Sequence, residues 1–484
     1  MDRRSFLTAA AGFGALAFTP ERVLAAAANA GDWTLAVADV EADLAPRALR
    51  RISGRAPADL SGVLFRNGPA KFRRPGGSAT HWFDGDGLIR RFAVNDGQAT
   101  LAARFADTRK RRTDAAAGAV VTPGFGTRGR PGVRVAGPDD VNAANTSLMM
   151  AGDQLWALWE AGSPVALDPQ TLETRGFHAF RDDLAGMPFL AHPRIEPDGR
   201  VWNLGLSGKQ AIVWRLAADG SLEAAQPIAL PRASYIHDFS ATARHLVIVL
   251  QPWVQQPGGG PMASGYAWRP ADGTQVLVLD KADLTRRRLF ETPAFSFFHM
   301  ADAWEEPDGT IRLALCAEES PEFGIRGAEA LLVGKMVEAP PPMLTHLTLR
   351  PDGRAELLRL GPEAEFPRGD PRFAGLRRDY DVFLGGGAPD QPLFTAVSVR
   401  DGRSGRIRSF DFGRGQIVEE MVFVPRPGGS AEFDGWLVGT SINLKARATE
   451  LHVFDARRVD TGPLVTWRAD VALPATFHGV WAKA

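Results

Sequence analysis

The segment Pro307-Asp308-Gly309-Thr310-Ile311-Arg312-Leu313-Ala314-Leu315 is the clearest indication of the fold class of this chain. Its Asp-Gly pair favours a tight hairpin turn, because two-residue hairpin turns need residues that accept positive φ. The apolar run behind the turn is typical of a short buried strand. The same turn stands at Pro197-Asp198-Gly199 and at Pro351-Asp352-Gly353, and each copy is followed by Arg and an apolar segment. The pattern predicts antiparallel strands joined by hairpins.

Further short apolar runs stand at 246–250, 276–279 and 436–438, and they predict strands along much of the chain. A two-sheet sandwich cannot contain this number of short strands over roughly 450 residues, whereas a ring of four-stranded blades can contain them in one domain. We therefore predict an all-β fold, a seven-bladed β-propeller with about 60 residues per blade. The repeat period is irregular, and residues 327–336 are one helical candidate.

The composition excludes several classes of function. The 484 residues are 45% hydrophobic, and 56 Lys and Arg balance 56 Asp and Glu, so we expect no nucleic-acid binding through a broad basic surface. Cys316 is the single cysteine, which excludes an intramolecular disulfide and a cysteine-based zinc or iron–sulfur site. Any metal must be held by His, Asp or Glu.

The N-terminus has the order of an export signal. The twin-arginine pattern Asp2-Arg3-Arg4-Ser5-Phe6-Leu7 is followed by a short apolar stretch and by an alanine-rich segment ending at Ala30. The apolar stretch is shorter than the ~20 residues that cross a bilayer. We predict a twin-arginine signal over residues 1–30, a single propeller domain over 31–484, passage through the twin-arginine translocase and a periplasmic location. The alternative is a disordered alanine-rich leader.

Four histidines have similar settings. His192, His237, His299 and His478 each have an aromatic or large apolar residue within two positions. In a propeller, their spacing could put each on the inner strand of a different blade, and imidazole suits iron, zinc, copper and nickel. The alternative is that they are hydrogen-bonded core residues. We expect the remaining histidines on surfaces or in turns: His81, His178, His245, His346 and His452.

An ordered set of motifs carries a resemblance to a known family. The motifs are Phe65-Arg66-Asn67-Gly68-Pro69, His81-Trp82-Phe83-Asp84-Gly85-Asp86-Gly87, Ala144-Asn145-Thr146, Ala157-Leu158-Trp159-Glu160-Ala161-Gly162 and Leu167-Asp168-Pro169. Together with the four histidine settings, in the same order, they resemble the carotenoid cleavage oxygenases over residues 62–481.

The resemblance implies a seven-bladed propeller with a helical and loop cap over an axial iron site. It implies one Fe(II) per subunit, held by the four histidines named above. It also implies that Glu160, Glu365 and Glu420 hydrogen-bond to ligand histidines, which fixes the tautomer of each ring and raises its basicity. Glu419 is a competing candidate for the place of Glu420. Asp302 stands where the family usually has Asn.

The reaction that the resemblance implies is the addition of O2 across an electron-rich C=C bond, which gives two carbonyl products. No protein nucleophile is required, and none of the G-x-S-x-G form is present. Lignostilbene-cleaving relatives place Lys where this chain has Trp159, and Tyr in the loop around Phe125. Both differences favour an apolar polyene, a carotenoid or apocarotenoid, as the substrate.

Three alternatives remain open at this point. They are a stilbene-cleaving dioxygenase, a non-oxidative isomerase of the retinoid type, and a non-catalytic exported propeller that binds a ligand. Relatives also insert an apolar patch into membranes near the substrate tunnel, so we expect a peripheral membrane contact. Residues 187–190 and 330–336 are the candidate patches.

Overall fold

A computed structural model describes residues 32–258, 261–337, 339–387 and 390–483. The predicted export signal over residues 1–30 lies outside the described residues. Strands dominate what is described. The first ones are β1 (Leu44–Ala48), β2 (Arg50–Gly54), β3 (Gly62–Pro69), β4 (Gly87–Asn95), β5 (Gln98–Phe105), β6 (Ser147–Ala151), β7 (Gln154–Leu158), β8 (Val165–Leu167), β9 (Thr174–Phe177), β10 (Arg194–Ile195), β11 (Val201–Ser207), β12 (Gln210–Leu216) and β13 (Leu222–Ala229).

The remaining strands continue to the end of the described chain. They are β14 (Ser240–Ala241), β15 (His245–Leu250), β16 (Trp253–Gln255), β17 (Tyr266–Trp268), β18 (Thr274–Asp280), β19 (Arg287–Thr292), β20 (Ser296–Glu305), β21 (Ile311–Glu318), β22 (Met343–Leu349), β23 (Ala355–Glu363), β24 (Glu365–Arg368), β25 (Tyr380–Gly385), β26 (Ala396–Asp401), β27 (Ile407–Asp411), β28 (Gln416–Pro425), β29 (Gly435–Asn443), β30 (Ala448–Asp455), β31 (Val465–Arg468) and β32 (Gly479–Lys483).

Seven antiparallel sheets of four or five strands form the blades of a propeller. Their strand orders are β1-β5-β4-β3-β32, β6-β7-β8-β9, β10-β11-β12-β13, β14-β15-β18-β19, β20-β21-β22-β23, β24-β25-β26-β27 and β2-β31-β30-β29-β28. A separate hairpin pairs β16 with β17. The prediction of an all-β, seven-bladed propeller is confirmed.

The segment with the Asp-Gly turn forms a hairpin of the fifth blade. β20 ends at Glu305 and β21 begins at Ile311, which pairs with it. In the turn, Asp308 Oδ1 accepts a hydrogen bond from the Thr310 amide at 2.9 Å, and Gly309 has φ of 82°. A β-carbon would strain this left-handed backbone, which is why glycine stands there.

Both ends of the described chain close the ring. β32 adds to β3, with Leu64 opposite Trp481, and β2 adds to the outer strand β31 of the last blade. One core cluster joins these two blades, and it contains Phe92 of β4 and Trp436 of β29. The closure brings residues near 478 beside residues near 66, although they are far apart in the sequence.

Short helices stand between the strands, and Trp33–Val37, Trp82–Asp84 and Ala328–Leu332 contribute to one core cluster. A π-helical turn at Phe323–Gly327 leads into α2 (Ala328–Leu332), so the predicted helix over 327–336 ends earlier than expected. An earlier helix, α1 (Arg109–Ala117), is capped by Thr108. The 3-10 helices are Trp33–Val37, Trp82–Asp84, Pro138–Asp140, Asp182–Leu184, Ala263–Gly265, Pro270–Asp272, Pro371–Phe373 and Val459–Thr461. Within the described ranges, every helix is too short or too polar to span a membrane.

Candidate metal centre

The four predicted histidines meet at the centre of the ring. His299 lies in the edge strand β20. Each of the other three lies within three residues before an edge strand of its sheet: His192 before β10, His237 before β14 and His478 before β32. Each therefore comes from a different blade. One nitrogen of each ring lies within 4.8 Å of the corresponding nitrogens of the others.

A glutamate contacts the outer nitrogen of three of these rings. Glu160 Oε1 lies 2.6 Å from Nδ1 of His237. Glu420 Oε1 lies 2.8 Å from Nδ1 of His478. Glu365, the first residue of β24, hydrogen-bonds to Nδ1 of His299.

The structure thus brings together all seven side chains predicted from the sequence. Their role in holding a metal stays a prediction.

The inner nitrogens face one another at short range. Nε2 of His299 lies 3.0 Å from Nε2 of His478, and Nε2 of His192 lies 3.0 Å from Nε2 of His237. An ionised carboxylate only accepts hydrogen bonds, so Nδ1 of His299 and of His478 carries the proton and each Nε2 presents a lone pair. Two lone pairs at this distance repel, so either a proton or a metal ion must lie between them. The donor set therefore fits a metal ion, and imidazole suits iron, zinc, copper and nickel.

Burial keeps two of the rings in the neutral form that metals bind. Burial, opposed by the charge and hydrogen bond of Glu420, lowers the pKa of His478 to about 3. Burial and the neighbouring imidazoles hold the pKa of His192 well below its usual range. Burial also lowers the pKa of His237, but the charge and hydrogen bond of Glu160, together with the charges of Asp238 and Glu365, outweigh it, and the net direction is upward. Protons and a metal compete for these nitrogens.

Glu420 is held as a carboxylate by two arginines. Arg368 Nε donates to Oε1 at 2.7 Å, and Arg66 Nη1 donates to Oε2 at 3.0 Å. Burial favours the neutral acid, but the charge of Arg368, the hydrogen bond from His478 and the charge of Arg66 keep the pKa of Glu420 well below its usual range. The competing candidate, Glu419, instead accepts a hydrogen bond from Thr476 Oγ1 at 2.7 Å.

These two arginines and Tyr235 had no predicted role. The Tyr235 hydroxyl donates to Glu160 Oε2 at 3.1 Å, on the carboxylate that holds His237. A signal was present for two of them, because Arg66 lies in the quoted motif Phe65-Arg66-Asn67-Gly68-Pro69 and Tyr235 stands two residues before His237. Arg368 carried no comparable signal.

Arg194 joins three of the segments that carry histidines. It stands two residues after His192, and its guanidinium donates to Asp238, the neighbour of His237. It also donates to the Met300 carbonyl, next to His299, at 3.2 Å. Asp302, which departs from the Asn usual in the family, lies 3.4 Å from the same guanidinium. A single cation thus ties β10, the start of β14 and β20 together.

A cavity of about 340 Å³ opens onto three of the four histidines, His237, His299 and His478. Aromatic side chains form a large part of its wall, with Trp82, Phe83, Phe125, Trp159, Phe298, Phe323, Phe366, Phe394 and Phe477. Trp159 and Phe125, which the sequence analysis used to discriminate between substrates, both line it. The cavity also contains two carboxyl groups beyond those on the histidines, Glu318 and Glu363.

Two of the five remaining histidines are buried, so their predicted surface location is wrong. His81 is fully buried, where Nε2 lies 2.9 Å from the Gly324 carbonyl and Nδ1 accepts from the Phe83 amide. His452 is buried in β30, with Nε2 2.8 Å from the Ser441 hydroxyl. Both rings hydrogen-bond to backbone groups or to side chains of other strands. Local sequence does not reveal such partners.

A propeller with four converging imidazoles beside an apolar cavity is an architecture suited to a metal-dependent enzyme. The sequence model of the family described as retinal pigment epithelial membrane protein matches residues 37–483. The chain therefore belongs to this family, the carotenoid cleavage oxygenases.

Known relatives of this chain are oxygenases. It is 29% identical over 466 residues to the apocarotenoid-15,15'-oxygenase of Synechocystis sp., covering 89% of this chain and 92% of that one. It is 27% identical over 477 residues to resveratrol cleavage oxygenase 1 of Aspergillus fumigatus, covering 89% and 91%. The crystal structure of the cobalt-substituted Synechocystis apocarotenoid oxygenase matches with a TM-score of 0.85 at 25% identity, covering 94% and 98%. The chain is thus a member of a family of carotenoid, apocarotenoid and stilbene-type oxygenases.

Proposed function

We propose that this protein is a non-haem Fe(II) dioxygenase that cleaves a C=C bond of a carotenoid or apocarotenoid with O2 and releases two carbonyl products. One Fe(II) per subunit would be held by His192, His237, His299 and His478. The observation that carries the proposal is the convergence of one nitrogen from each of the four rings within 4.8 Å of one another, with a carboxylate on the outer nitrogen of three of them. The oxygenase relatives support the choice of iron chemistry.

The chain's own residues would bind, orient and exclude water. The aromatic wall presents a long apolar surface to the substrate, which suits a polyene and keeps water from the reacting carbons. The carboxylates of Glu160, Glu365 and Glu420 hold three rings in the tautomer that directs Nε2 inward. When bound, Fe(II) would supply the activation of O2. No acid, base or nucleophile of the protein is required.

The substrate class follows from the residues that line the cavity. Trp159 and Phe125 offer apolar surface where stilbene-cleaving relatives have Lys and Tyr, so a polyene is favoured. A stilbene is the second candidate, because the resveratrol-cleaving relative is nearly as similar as the apocarotenoid-cleaving one. A non-catalytic binding propeller would have no need of four inward-facing imidazoles with carboxylates behind them.

The decisive experiment is product analysis under 18O2. The protein loaded with Fe(II) is incubated with apocarotenals, a hydrocarbon carotene and a hydroxystilbene, and the products are analysed by mass spectrometry. Two labelled carbonyl fragments from a polyene support the proposal. Fragments from the stilbene alone favour the second candidate, and His299→Ala with wild-type iron content would rule out the four-histidine site.

Export and a peripheral membrane contact are part of the proposal. The twin-arginine pattern supports passage through the translocase into the periplasm, and replacing Arg3 and Arg4 by Lys should retain the protein in the cytoplasm on cell fractionation. Wild-type fractionation of the double variant would contradict it.

In the candidate patch at 187–190, Met187 is 36% exposed, whereas Phe189 and Leu190 are buried, so this segment offers a single exposed apolar side chain. Val333 is 67% exposed and Met336 43%, and Met336 lines the cavity. Val333→Asp should reduce sedimentation with phosphatidylcholine–phosphatidylglycerol vesicles, whereas Val135→Asp, at an exposed position elsewhere, should not.

A further inference from the structure

Glu318 is a buried acid in the wall of the apolar cavity. It is the last residue of β21 and pairs with Ser296, the first residue of the strand that carries His299. Only 4% of its surface is exposed, and its side chain lines the cavity together with Phe298 and Glu365. Its position is therefore inside the substrate space and close to the histidine cluster, without being part of it.

The Glu318 carboxyl differs from the other buried glutamates of the site. Glu160, Glu365 and Glu420 each hydrogen-bond to a histidine. Glu318 forms no hydrogen bond or ion pair with any of the residues that the structure describes. A buried polar group without a partner is costly, and native proteins retain few of them. Because Glu318 lines the cavity, a partner for its carboxyl could enter from there.

The environment favours the protonated form of this carboxyl. Burial, followed by the negative charge of Glu365, raises the pKa of Glu318 well above its ordinary value of 4.5. A protonated carboxyl has an O–H that donates and a carbonyl oxygen that accepts. Glu363 in the same cavity is only partly buried, so its neutral form is less strongly favoured.

We propose that Glu318 determines substrate specificity by donating a hydrogen bond to an uncharged oxygen atom of the substrate. The cavity would then prefer a polyene that ends in an aldehyde or another carbonyl over the pure hydrocarbon. In an apolar pocket a hydrogen-bonding group discriminates strongly, because an analogue that lacks the oxygen leaves the buried acid unpaired. This inference rests on the proposed function for the class of substrate, and it adds which member of that class is bound.

Binding to the metal-free protein tests the inference without catalysis. Trp82 and Trp159 line the cavity, so a bound polyene quenches their fluorescence and a titration gives Kd. The ligands are an apocarotenal and the hydrocarbon polyene of the same length. We expect the wild type to bind the aldehyde about tenfold more tightly, the equivalent of one hydrogen bond. Glu318→Leu should reduce the preference to about twofold or less, and Glu318→Gln, whose amide still donates, should retain most of it.

Two comparisons separate a specific effect from a folding defect. Glu318→Leu should bind the hydrocarbon at least as well as the wild type, which shows that the variant is folded. Glu319→Gln changes the neighbouring exposed glutamate and should keep the wild-type preference. An unchanged preference in Glu318→Leu, or no preference in the wild type, would overturn the inference.

Turnover distinguishes this inference from the proposed function. With Fe(II), Glu318→Leu should raise KM for the aldehyde about tenfold and change kcat less than about twofold. If the wild type cleaves a polyene but Glu318→Leu keeps the wild-type preference, the specificity role fails and the dioxygenase proposal stands. If no substrate is cleaved but the preference depends on Glu318, the dioxygenase proposal fails and the specificity role stands.

Discussion

At the scale of single residues, the site depends on carboxylates placed behind imidazoles. Glu365 accepts from Nδ1 of His299 and also from the amide of Phe366 at 2.6 Å, so its orientation is fixed by the backbone. Such a partner sets which nitrogen of the ring carries the proton. The inward lone pair of His299 is therefore a consequence of a residue 66 positions away in the sequence.

Glu365→Gln should weaken iron binding about 10–100-fold, because an amide stabilises the required tautomer less well than a carboxylate. The measurement is iron content in competition with a calibrated chelator. Glu356→Gln, at an exposed glutamate of β23, is the matched control and should bind iron as the wild type does. Equal affinity in the two variants would contradict the positioning role of Glu365.

Glu318 should make stability depend on pH. Because its pKa is raised in the folded state, the folded protein holds this proton more tightly than the unfolded chain. The free energy of unfolding then falls as pH rises from about 4.5 toward the folded pKa. The Gln side chain of Glu318→Gln does not ionise, so this variant does not lose stability in this way as pH rises. Its Tm should therefore exceed that of the wild type by an amount that grows with pH above 4.5. A difference in Tm that does not change with pH would show that the acid is not buried in its neutral form.

At the scale of strands, the position of the metal centre depends on how neighbouring blades are joined. Asp238 accepts from Arg194 and, at 2.8 Å, from the Met300 amide, so one buried carboxylate connects the start of β14 to β20. Asp238 is almost fully buried, and loss of its cation would leave an uncompensated charge. The local order of three histidine-bearing segments thus rests on one ion pair.

Arg194→Met should lower the free energy of unfolding by about 3 kcal/mol, the cost of breaking a buried ion pair by removing one partner. Iron affinity should fall as well, because His192, His237 and His299 lose their common support. Chemical denaturation and chelator competition measure the two effects. Arg200→Met, at a half-exposed arginine of the same blade that pairs with Glu223, should change iron affinity little and stability by less than Arg194→Met does. Full iron affinity in the destabilised variant would show that the histidines are held independently of Arg194.

At the scale of the whole molecule, the ring is closed by strands from opposite ends of the described chain. β32 pairs with β3, and His478 stands immediately before β32. The same closure puts Arg66 of β3 next to Glu420, a pair separated by 354 positions. Closure of the propeller therefore also places His478, the fourth histidine, at the site.

Deletion of residues 480–484 should remove both functions of this strand. The edge of β3 would be exposed, which invites aggregation, and His478 would lose its support. We expect a large fall in Tm, loss of iron binding and a shift to larger species in size-exclusion chromatography. Lys483→Ala, at the exposed end of β32, should behave as the wild type. A truncated protein that remains monomeric and binds iron would contradict the link between closure and the site.

Local sequence was sufficient to predict the strands, their hairpins and the identity of the histidines. Asp-Gly turns and apolar alternation act over a few residues, so the hairpin at Asp308-Gly309 follows from its own residues, and ordered motifs singled out His192, His237, His299 and His478. Three features instead depend on the folded ring: the contacts that join each glutamate to its histidine, the burial of His81, and the unpaired position of Glu318 in the cavity. The physical reason is that burial and charge pairing between distant segments exist only once the blades have packed together and the ring has closed.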